Sequence, residues 1–412
     1  MKSTIHDTSA SELVKQYQKN NFKVMSKKSL IFTALFATSF TFASCTNTSK
    51  KPIEIASATT TTLVDENTKI QVALLLDTSN SMDGLIEQAK SRLWNIVNTL
   101  TTLKYSGKTP SIEISLYEYG NDGLSGETNY IRQVTALTTD LDLISEKLFA
   151  LRTNGGSEYC GAVIQDATKQ LKWGNASQTM KLIYISGNEG FNQGGINYKE
   201  AISDALKNNI YVNTIYCGNQ NEGLSLLWKD GADVGKGKYF NIDSNQVIQY
   251  IATPYDVQIS KCNEKINTTY IGYGREGEMK KMNQEAQDRN AESVSYANMT
   301  ERAVSKSKGA YRNESWDLVD KIKEDKDAVS KLKKEELPKE LQGKSKAEIE
   351  AFVNQKAKER ETIQKEISAL AKKRQEYIDA EAKKNKAQDD LGNAISTSIV
   401  TLAKAKGYTI EK

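Results

Sequence analysis

Histidine is almost missing from this sequence of 412 residues, since the single one is His6. Ser-His-Asp and Cys-His catalysis and histidine-ligated zinc sites all need an imidazole, so the rest of the chain cannot build them. A strong charge of either sign is missing too, because 56 basic residues face 52 acidic ones for a net charge of +4. No nucleic-acid partner is therefore indicated. These absences favour a binding or structural protein over an enzyme.

Long hydrophobic runs are also absent, and the apolar stretch 30–42 is short for a membrane span. Residues 1–24 are polar and unlike a signal, whereas Met25 opens a basic segment, so Met25 is a candidate start and residues 1–24 need not be translated. Small residues then precede Cys45 in Phe-Ala-Ser-Cys. This pattern predicts a signal peptide over 25–44.

The segment that ends at Cys45 resembles a bacterial lipoprotein box, although Phe42 stands where Leu is usual. The resemblance implies lipidation of Cys45, a membrane contact through that lipid, and a place in a bacterial cell envelope on the periplasmic or outer-membrane face. Residues 45–68 are rich in Thr, Ser, Ala and Lys and predict a flexible tether. The alternatives are an ordinary cleaved signal or an uncleaved anchor, with Cys45 incidental.

An apolar run over 70–76 ends abruptly in Asp77, Ser79 and Ser81, and an amphipathic pattern follows at once. Three oxygen side chains therefore crowd one strand-to-helix turn. Such turns lie at the carboxyl edge of parallel sheets, where hard oxygen ligands suit Mg²⁺ or a similar ion. The alternative is that these residues only cap the helix that begins near Met82.

Strand and helix patterns alternate from residue 69 to about 258, which predicts a doubly wound, mostly parallel sheet with one antiparallel edge strand. The predicted strands are 70–76, 111–119, 130–136, 181–186, 210–216 and 238–242. The predicted helices are 85–100, 141–151, 162–173, 198–208, 224–229 and 244–252.

The Asp-Thr-Ser-Asn-Ser turn and this order of elements resemble the von Willebrand factor A family over residues 69–258. The resemblance implies a Rossmann-like α/β fold and a metal-ion-dependent adhesion site. It also implies Mg²⁺, or Mn²⁺ or Ca²⁺, at the top of the sheet, where an open coordination position accepts a carboxylate from a protein ligand.

Two loops depart from that family's pattern. Glu158 stands where the second metal loop usually has Thr, and Gly187 stands where the third loop usually has Asp. Glu158 or Glu189 can supply the lost oxygen, which predicts a metal site of Asp77, Ser79 and Ser81 with one or both glutamates. Alternatively the glutamates are only solvated loop residues, or one of them closes the site and makes it structural.

With Cys45 assigned to lipid, three cysteines remain in an exported chain where disulfides can form. Cys160 follows the second metal loop and Cys217 ends a predicted strand, so both are expected at the carboxyl edge of the sheet. We therefore predict a Cys160–Cys217 disulfide with Cys262 free. The alternative is three buried thiols.

After Pro254 the composition changes to interleaved charges with few aromatics. Residues 259–412 predict an all-α, coiled-coil-like region, in which Ser345 and Glu348 form a capping box that opens a long helix. Further helices are predicted over 278–304, 316–332 and 391–404. Narrow apolar seams favour a helical hairpin or a small bundle, packed on the first domain or projecting from it, and they permit self-association.

Three hypotheses about function follow. The first is a non-enzymatic, lipid-anchored module that binds an unidentified protein ligand through the metal site. The second is a structural envelope scaffold with a closed or degenerate metal site, in which the C-terminal helices make the contacts. The third is a hydrolase with Glu158 and Glu189 as an acid–base pair, which the sequence supports least.

Overall fold

The computed structural model describes residues 68–243, 245, 246, 248–382 and 391–410. The predicted signal peptide, Cys45 and the tether as far as residue 67 lie outside these residues. Within the described part of the chain, no helix is both long enough and apolar enough to cross a membrane.

The centre of the structure is a mixed sheet with the strand order β4-β3-β1-β5-β6-β7. Neighbouring strands run parallel except β4, which pairs antiparallel with β3 at one edge. A separate pair, β2 with β8, is antiparallel. The predicted doubly wound sheet with one antiparallel edge strand is therefore confirmed. The strands are β1 Lys69–Asp77, β2 Leu103–Lys104, β3 Ser111–Tyr119, β4 Ile131–Thr138, β5 Met180–Gly187, β6 Ile210–Cys217, β7 Lys236–Ile242 and β8 Thr409–Ile410.

Helices cover both faces of this sheet and continue into the C-terminal half of the chain. They are α1 Asp83–Thr101, α2 Leu141–Ala150, α3 Cys160–Gln170, α4 Tyr198–Lys207, α5 Gln220–Ser225, α6 Trp228–Val234, α7 Asp256–Asn267, α8 Gly277–Val294, α9 Tyr296–Lys306, α10 Leu318–Glu324, α11 Ala328–Lys331, α12 Lys346–Ala382 and α13 Leu391–Ala405.

The central strand β1 shows why its sequence is apolar without interruption. Leu74 and Leu76 pack into the core on one face of the sheet, and Ala73 and Leu75 pack into the core on the other. A strand covered on both faces has no solvent side, so it carries apolar residues at every position instead of alternating. The apolar run ends at Asp77, the last residue of β1, which lies at the carboxyl edge of the sheet.

One face of the sheet is covered by α3, α4 and α6, and the other by α1, α2 and the C-terminal half of the chain. Helix α13 returns from the C-terminus to this second face, where Ile395 and Ile399 join the same core as Leu74. The residues that close this side of the sheet are therefore more than 300 positions from β1 in the sequence.

The helical region is packed on the sheet domain, which was one of the two predicted arrangements. The predicted helix 278–304 is divided at Ser295 into α8 and α9, and the predicted helix 316–332 is divided into α10 and α11. Ser295 has extended backbone angles, and its hydroxyl caps α9 by accepting a hydrogen bond from Asn298 N. The long helix α12 packs against α7 and several shorter helices rather than pairing with one partner of its own length.

The predicted helix over 244–252 is wrong for the residues that the structure describes there. They form no regular element, and the next helix, α7, begins after Pro254. A proline disfavours helical angles at the residue before it. In addition, the Tyr250 hydroxyl donates to Ser91 O of α1 over 3.0 Å, so tertiary contacts hold this segment in its irregular path.

Candidate metal centre

The turn after β1 presents its oxygen atoms to the carboxyl edge of the sheet. Asp77 is fully buried, and its Oδ1 accepts a hydrogen bond from Ser79 N at 2.7 Å. The hydroxyls of Ser79 and Ser81 lie 3.1 Å apart. Neither the short 3-10 turn at Asn80–Met82 nor α1 receives a side-chain cap from these residues. The capping alternative is therefore not what the structure shows, and these side chains are available to a ligand.

Glu158 arrives beside this turn from the loop that precedes α3. Asn154 N donates to Thr78 O over 2.9 Å and so ties that loop to the end of β1. The Glu158 side chain is only 4% exposed, and its carboxyl lies within hydrogen-bonding reach of Asp77 and of the Ser79 hydroxyl. The structure thus brings together four of the five predicted metal-site residues, Asp77, Ser79, Ser81 and Glu158.

The close approach of the Asp77 and Glu158 carboxyls depends on a glycine, Gly120, in the turn that follows β3. Gly120 has φ +75, and a Cβ there would lie 2.7 Å from Glu158 Cγ and 2.9 Å from Asp77 Oδ1. Any side chain at this position would push the acidic pair apart, and the positive φ would also be strained in another residue. Gly120 is a site residue that sequence reasoning missed, although its place directly after a strand that pairs with β1 was a usable signal.

The surroundings of Gly187, at the end of β5, explain why glycine stands where the family pattern usually has Asp. A Cβ there would lie 2.6 Å from Tyr119 Oη and 3.0 Å from Asp77 Oδ2. The Tyr119 hydroxyl donates to Ser186 O over 3.0 Å, so it is fixed in this space. The third loop therefore offers no side chain at 187, and Tyr119 occupies the volume instead.

Glu189 lies at the rim of the centre. Its side chain is exposed and accepts a hydrogen bond from Gln193 Nε2 at 3.3 Å, while its backbone oxygen accepts from the Trp228 indole at 2.7 Å. Its charge acts on Asp77 and Glu158 through space. The neighbouring Asn188, which the sequence did not single out, contacts Ser81 directly, since its Nδ2 lies 3.1 Å from Ser81 Oγ.

The pKa values of Asp77 and Glu158 are set by their burial and by their closeness to each other. Burial raises the pKa of Asp77 to about 6. Burial and the adjacent Asp77 carboxyl raise the pKa of Glu158 to about 9. Among the described residues, no lysine or arginine forms an ion pair with Asp77, Glu158 or Glu189. Two carboxylates at this separation need either a shared proton or a cation between them.

The donor set fits a hard divalent cation. Asp77 Oδ2 is buried and receives no hydrogen bond from any N–H or hydroxyl of the described residues, which is costly for a carboxylate oxygen. Two carboxyls and two serine hydroxyls are the oxygen ligands that Mg²⁺, Mn²⁺ or Ca²⁺ accept. No group of three or more His, Cys, Asp or Glu side chains gathers as a metal site in the described residues, so the hydroxyls are required here.

The predicted Cys160–Cys217 disulfide is wrong. Cys160, Cys217 and Cys262 are all free and buried. Cys160 packs in the core on the α3 side of the sheet, whereas Cys217 packs in the core on the α1 side. Both residues do lie near the carboxyl edge, but the sheet separates their side chains, because Cys160 opens α3 on one face and Cys217, at the end of β6, points to the other face.

A groove of about 1010 Å³ opens beside the centre, between α1, the end of α2, the end of α8 and residues 245, 246, 248 and 250. Asp83 and Thr153 line it and are hydrogen-bonded to each other. Asp83 follows the Ser79–Ser81 turn, and Thr153 belongs to the loop of Glu158. The groove and the candidate centre therefore share their loops.

Comparison with known proteins gives one family match and several structural likenesses. The model of the von Willebrand factor type A domain matches residues 71–254. No curated protein matches the sequence.

Among solved structures, proximal thread matrix protein 1 from the mussel byssus, with a zinc-occupied MIDAS motif, is 14% identical, with a TM-score of 0.33, over 43% of this chain and 42% of that one. This chain thus spans less than half the length of the mussel protein. An aerotolerance-related membrane protein from Bacteroides fragilis is 18% identical, with a TM-score of 0.30, over 43% of this chain and 93% of that one. The SpRpn10 VWA domain is 17% identical, with a TM-score of 0.30, over 42% of this chain and 87% of that one.

Proposed function

Because residues 71–254 of this chain form a von Willebrand factor type A domain, we propose that it is a lipid-anchored, non-enzymatic protein of a bacterial cell envelope. The domain binds a protein partner at the carboxyl edge of its sheet, through a modified metal-ion-dependent adhesion site. Asp77, Ser79, Ser81 and Glu158 hold the ion, Mg²⁺ or else Mn²⁺ or Ca²⁺, and Glu189 stands at its rim.

The observation that carries this proposal is the buried acidic pair with its orphaned oxygen, Asp77 Oδ2. A cation there supplies positive charge that lets Asp77 and Glu158 both ionise in contact. The chain places these groups on three loops at the same edge of the sheet. Ordering those loops shapes the surface that a partner meets, including the adjoining groove.

The non-enzymatic assignment is supported by the arrangement of the carboxyls. Glu158 is buried against Asp77, whereas Glu189 is exposed and bonded to Gln193. Only Glu189 is open to solvent, whereas an acid–base pair in hydrolysis needs both carboxyls beside the substrate. The hydrolase hypothesis therefore has no geometric support.

Calorimetric titration of the full chain with Mn²⁺ tests the metal site. We expect the wild type to bind, Asp77→Asn to lose binding, and Glu158→Gln to bind at least about tenfold more weakly, since each removes a charged ligand. Asp204→Asn on α4 is the matched control, because the Asp204 side chain is 48% exposed and pairs with its helical neighbour Lys207. Absent binding by the wild type, or unchanged binding by Asp77→Asn, would contradict the proposal.

The lipid anchor is tested separately, by metabolic labelling with a palmitate analogue. The wild type should take up the label and fractionate with membranes, and Cys45→Ala should do neither. Labelling that persists in Cys45→Ala would show that the anchor is elsewhere.

The alternative function is a structural scaffold that makes its contacts through the helical region. One observation favours it, since Met279 and Met282 on α8 are 62% and 63% exposed although both are large and apolar. In a scaffold, Met279→Gln together with Met282→Gln would abolish self-association measured by analytical ultracentrifugation, and Asp77→Asn would leave it intact. The reverse pattern would favour the metal-dependent partner site.

A further inference from the structure

The edge of the sheet that carries the candidate centre holds more carboxylates than the two that one divalent cation would balance. Asp77 and Glu158 supply two carboxylates, and the charge of Glu189 acts on both of them. Asp122 and Asp83 are exposed on the same edge. Asp83 accepts a hydrogen bond from Thr153, and Asp122 N donates to Gly155 O, so both contact the loop that positions Glu158.

Two basic side chains near this edge, those of Arg152 and Lys90, are bonded to other groups than the acids of the centre. Arg152 uses Nη1 to donate to Phe149 O at 3.0 Å and to Leu151 O at 2.7 Å, at the end of α2. Lys90 pairs with Glu87 at 2.8 Å. Neither residue forms an ion pair with Asp77, Glu158 or Glu189 among the described residues.

A divalent cation held by Asp77 and Glu158 would have both of its charges balanced by these two ligands. Glu189 then leaves a surplus of negative charge beside the ion. The orphaned and fully buried Asp77 Oδ2 points to a cation as the occupant of the centre, independently of the acidic rim. Such a centre attracts cations from solution and repels carboxylates at short range.

We propose that this edge selects its protein partner through a basic group, a lysine or arginine side chain presented next to Glu189, and disfavours a partner that presents a carboxylate. Glu158 and Glu189 are the residues that determine this preference. The inference rests on the proposed function, because it assigns the partner chemistry of the same site.

The test uses paramagnetic relaxation of small probes by Mn²⁺ bound to the full chain. The methyl protons of methylammonium and of acetate report which charge approaches the ion. We expect methylammonium to be relaxed by the loaded wild type more strongly than acetate, by about threefold at low salt, and the difference to shrink as salt rises.

Two charge-reversal variants make the test specific. Glu189→Lys should invert the order of the two probes. Glu361→Lys changes the net charge equally but lies on α12, where Glu361 is exposed and pairs with Lys365, so it should leave the order unchanged. Stronger relaxation of acetate by the wild type, or equal effects of the two variants, would overturn the inference.

Failure of the proposed function would look different. If the wild type binds no Mn²⁺, the electron paramagnetic resonance signal of free Mn²⁺ stays at full height, and both the metal site and this inference are overturned. If the signal falls but acetate is the preferred probe, the metal site stands and only the basic partner is rejected.

Discussion

The guanidinium of Arg302 on α9 is completely buried, yet each of its nitrogen atoms has a partner. Nη1 donates to Asp142 on α2 at 2.8 Å, Nε donates to Asp288 on α8 at 2.6 Å, and Nη2 donates to Gln284 O at 2.8 Å. Its Cζ atom also lies 4.6 Å from the centre of the Trp94 ring on α1. One residue therefore joins the sheet domain to the helical region through contacts that fit only one arrangement.

Replacing Arg302 by methionine should be strongly destabilising, because Asp142 would keep a buried charge without its cation. Breaking a buried pair in this way costs about 3–5 kcal/mol of the free energy of unfolding. Arg312→Met is the control, since Arg312 is half exposed in its pair with Glu314 and should cost less than about 1 kcal/mol. Urea denaturation measures both, and equal losses would contradict the role given to Arg302.

Asp288 makes stability depend on acid pH. Burial alone would raise the pKa of this carboxyl, but the charges of Lys306 and Arg302 outweigh burial and hold the pKa well below its usual range. A group whose pKa is lowered by folding contributes stability above its unfolded value, which is about 4, and that stability is lost as pH falls.

We therefore expect the free energy of unfolding to fall as the pH is lowered from about 5 to about 2, with a steeper slope in the wild type than in Asp288→Asn. Denaturation curves at several pH values give the two slopes. Identical slopes in the two proteins would show that Asp288 is not the group responsible.

At the scale of elements, α13 completes the sheet face that α1 begins. Ile395 and Ile399 are buried in the core of that face, and Tyr184 of β5 is hydrogen-bonded to Ser398. The C-terminal strand β8 then pairs with β2, which follows α1. The last helix thus belongs structurally to the sheet domain, although the helical region precedes it in the chain.

Shortening the Ile399 side chain tests whether α13 completes this face of the sheet. Ile399→Ala leaves a cavity between α13 and the sheet and should cost about 2–5 kcal/mol of the free energy of unfolding. Thr397→Ala is the matched control on the same helix, because Thr397 is exposed. Chemical denaturation distinguishes the two, and a negligible effect of Ile399→Ala would mean that α13 does not seal the sheet.

At the scale of the whole molecule, the two regions share one core. Ile259 of α7, Met299 of α9 and Ile367 of α12 lie in the same apolar cluster as Leu74 of β1. Arg374 of α12 reinforces it, since it pairs with Asp256 on α7 at 2.9 Å and with Glu301 on α9 at 2.8 Å. A shared core opposes independent motion of the sheet domain and the helices.

We expect the two regions to unfold together. Tryptophan fluorescence reports on Trp228 beside the sheet and on Trp316 in the helical region, and far-ultraviolet circular dichroism reports on the helices as a whole. The denaturation curves from both methods should coincide in a single transition. Two separated transitions would contradict a shared core.

How much of the fold and of the candidate site could be predicted from the sequence depends on how far apart in the chain the interacting residues lie. The run from Ile70 to Asp77 and the amphipathic pattern of α1 are local, so their type and order were predictable. The position of Glu158 against Asp77 followed from a general rule, since loops after parallel strands meet at one edge. Asn188, Gly120 and Tyr119 were missed, because their roles depend on distances of a few ångströms between separate loops.

The sequence by itself therefore determined the α/β alternation, the antiparallel edge strand and the acidic turn at Asp77, because neighbouring residues carry those signals. Only the tertiary structure decided that α13 returns to the sheet and that Cys160 and Cys217 lie on opposite faces. It also decided that Arg302 joins α2 to α8. The physical reason is that burial and charge pairing between residues far apart in the chain depend on how the elements pack, which no local pattern encodes.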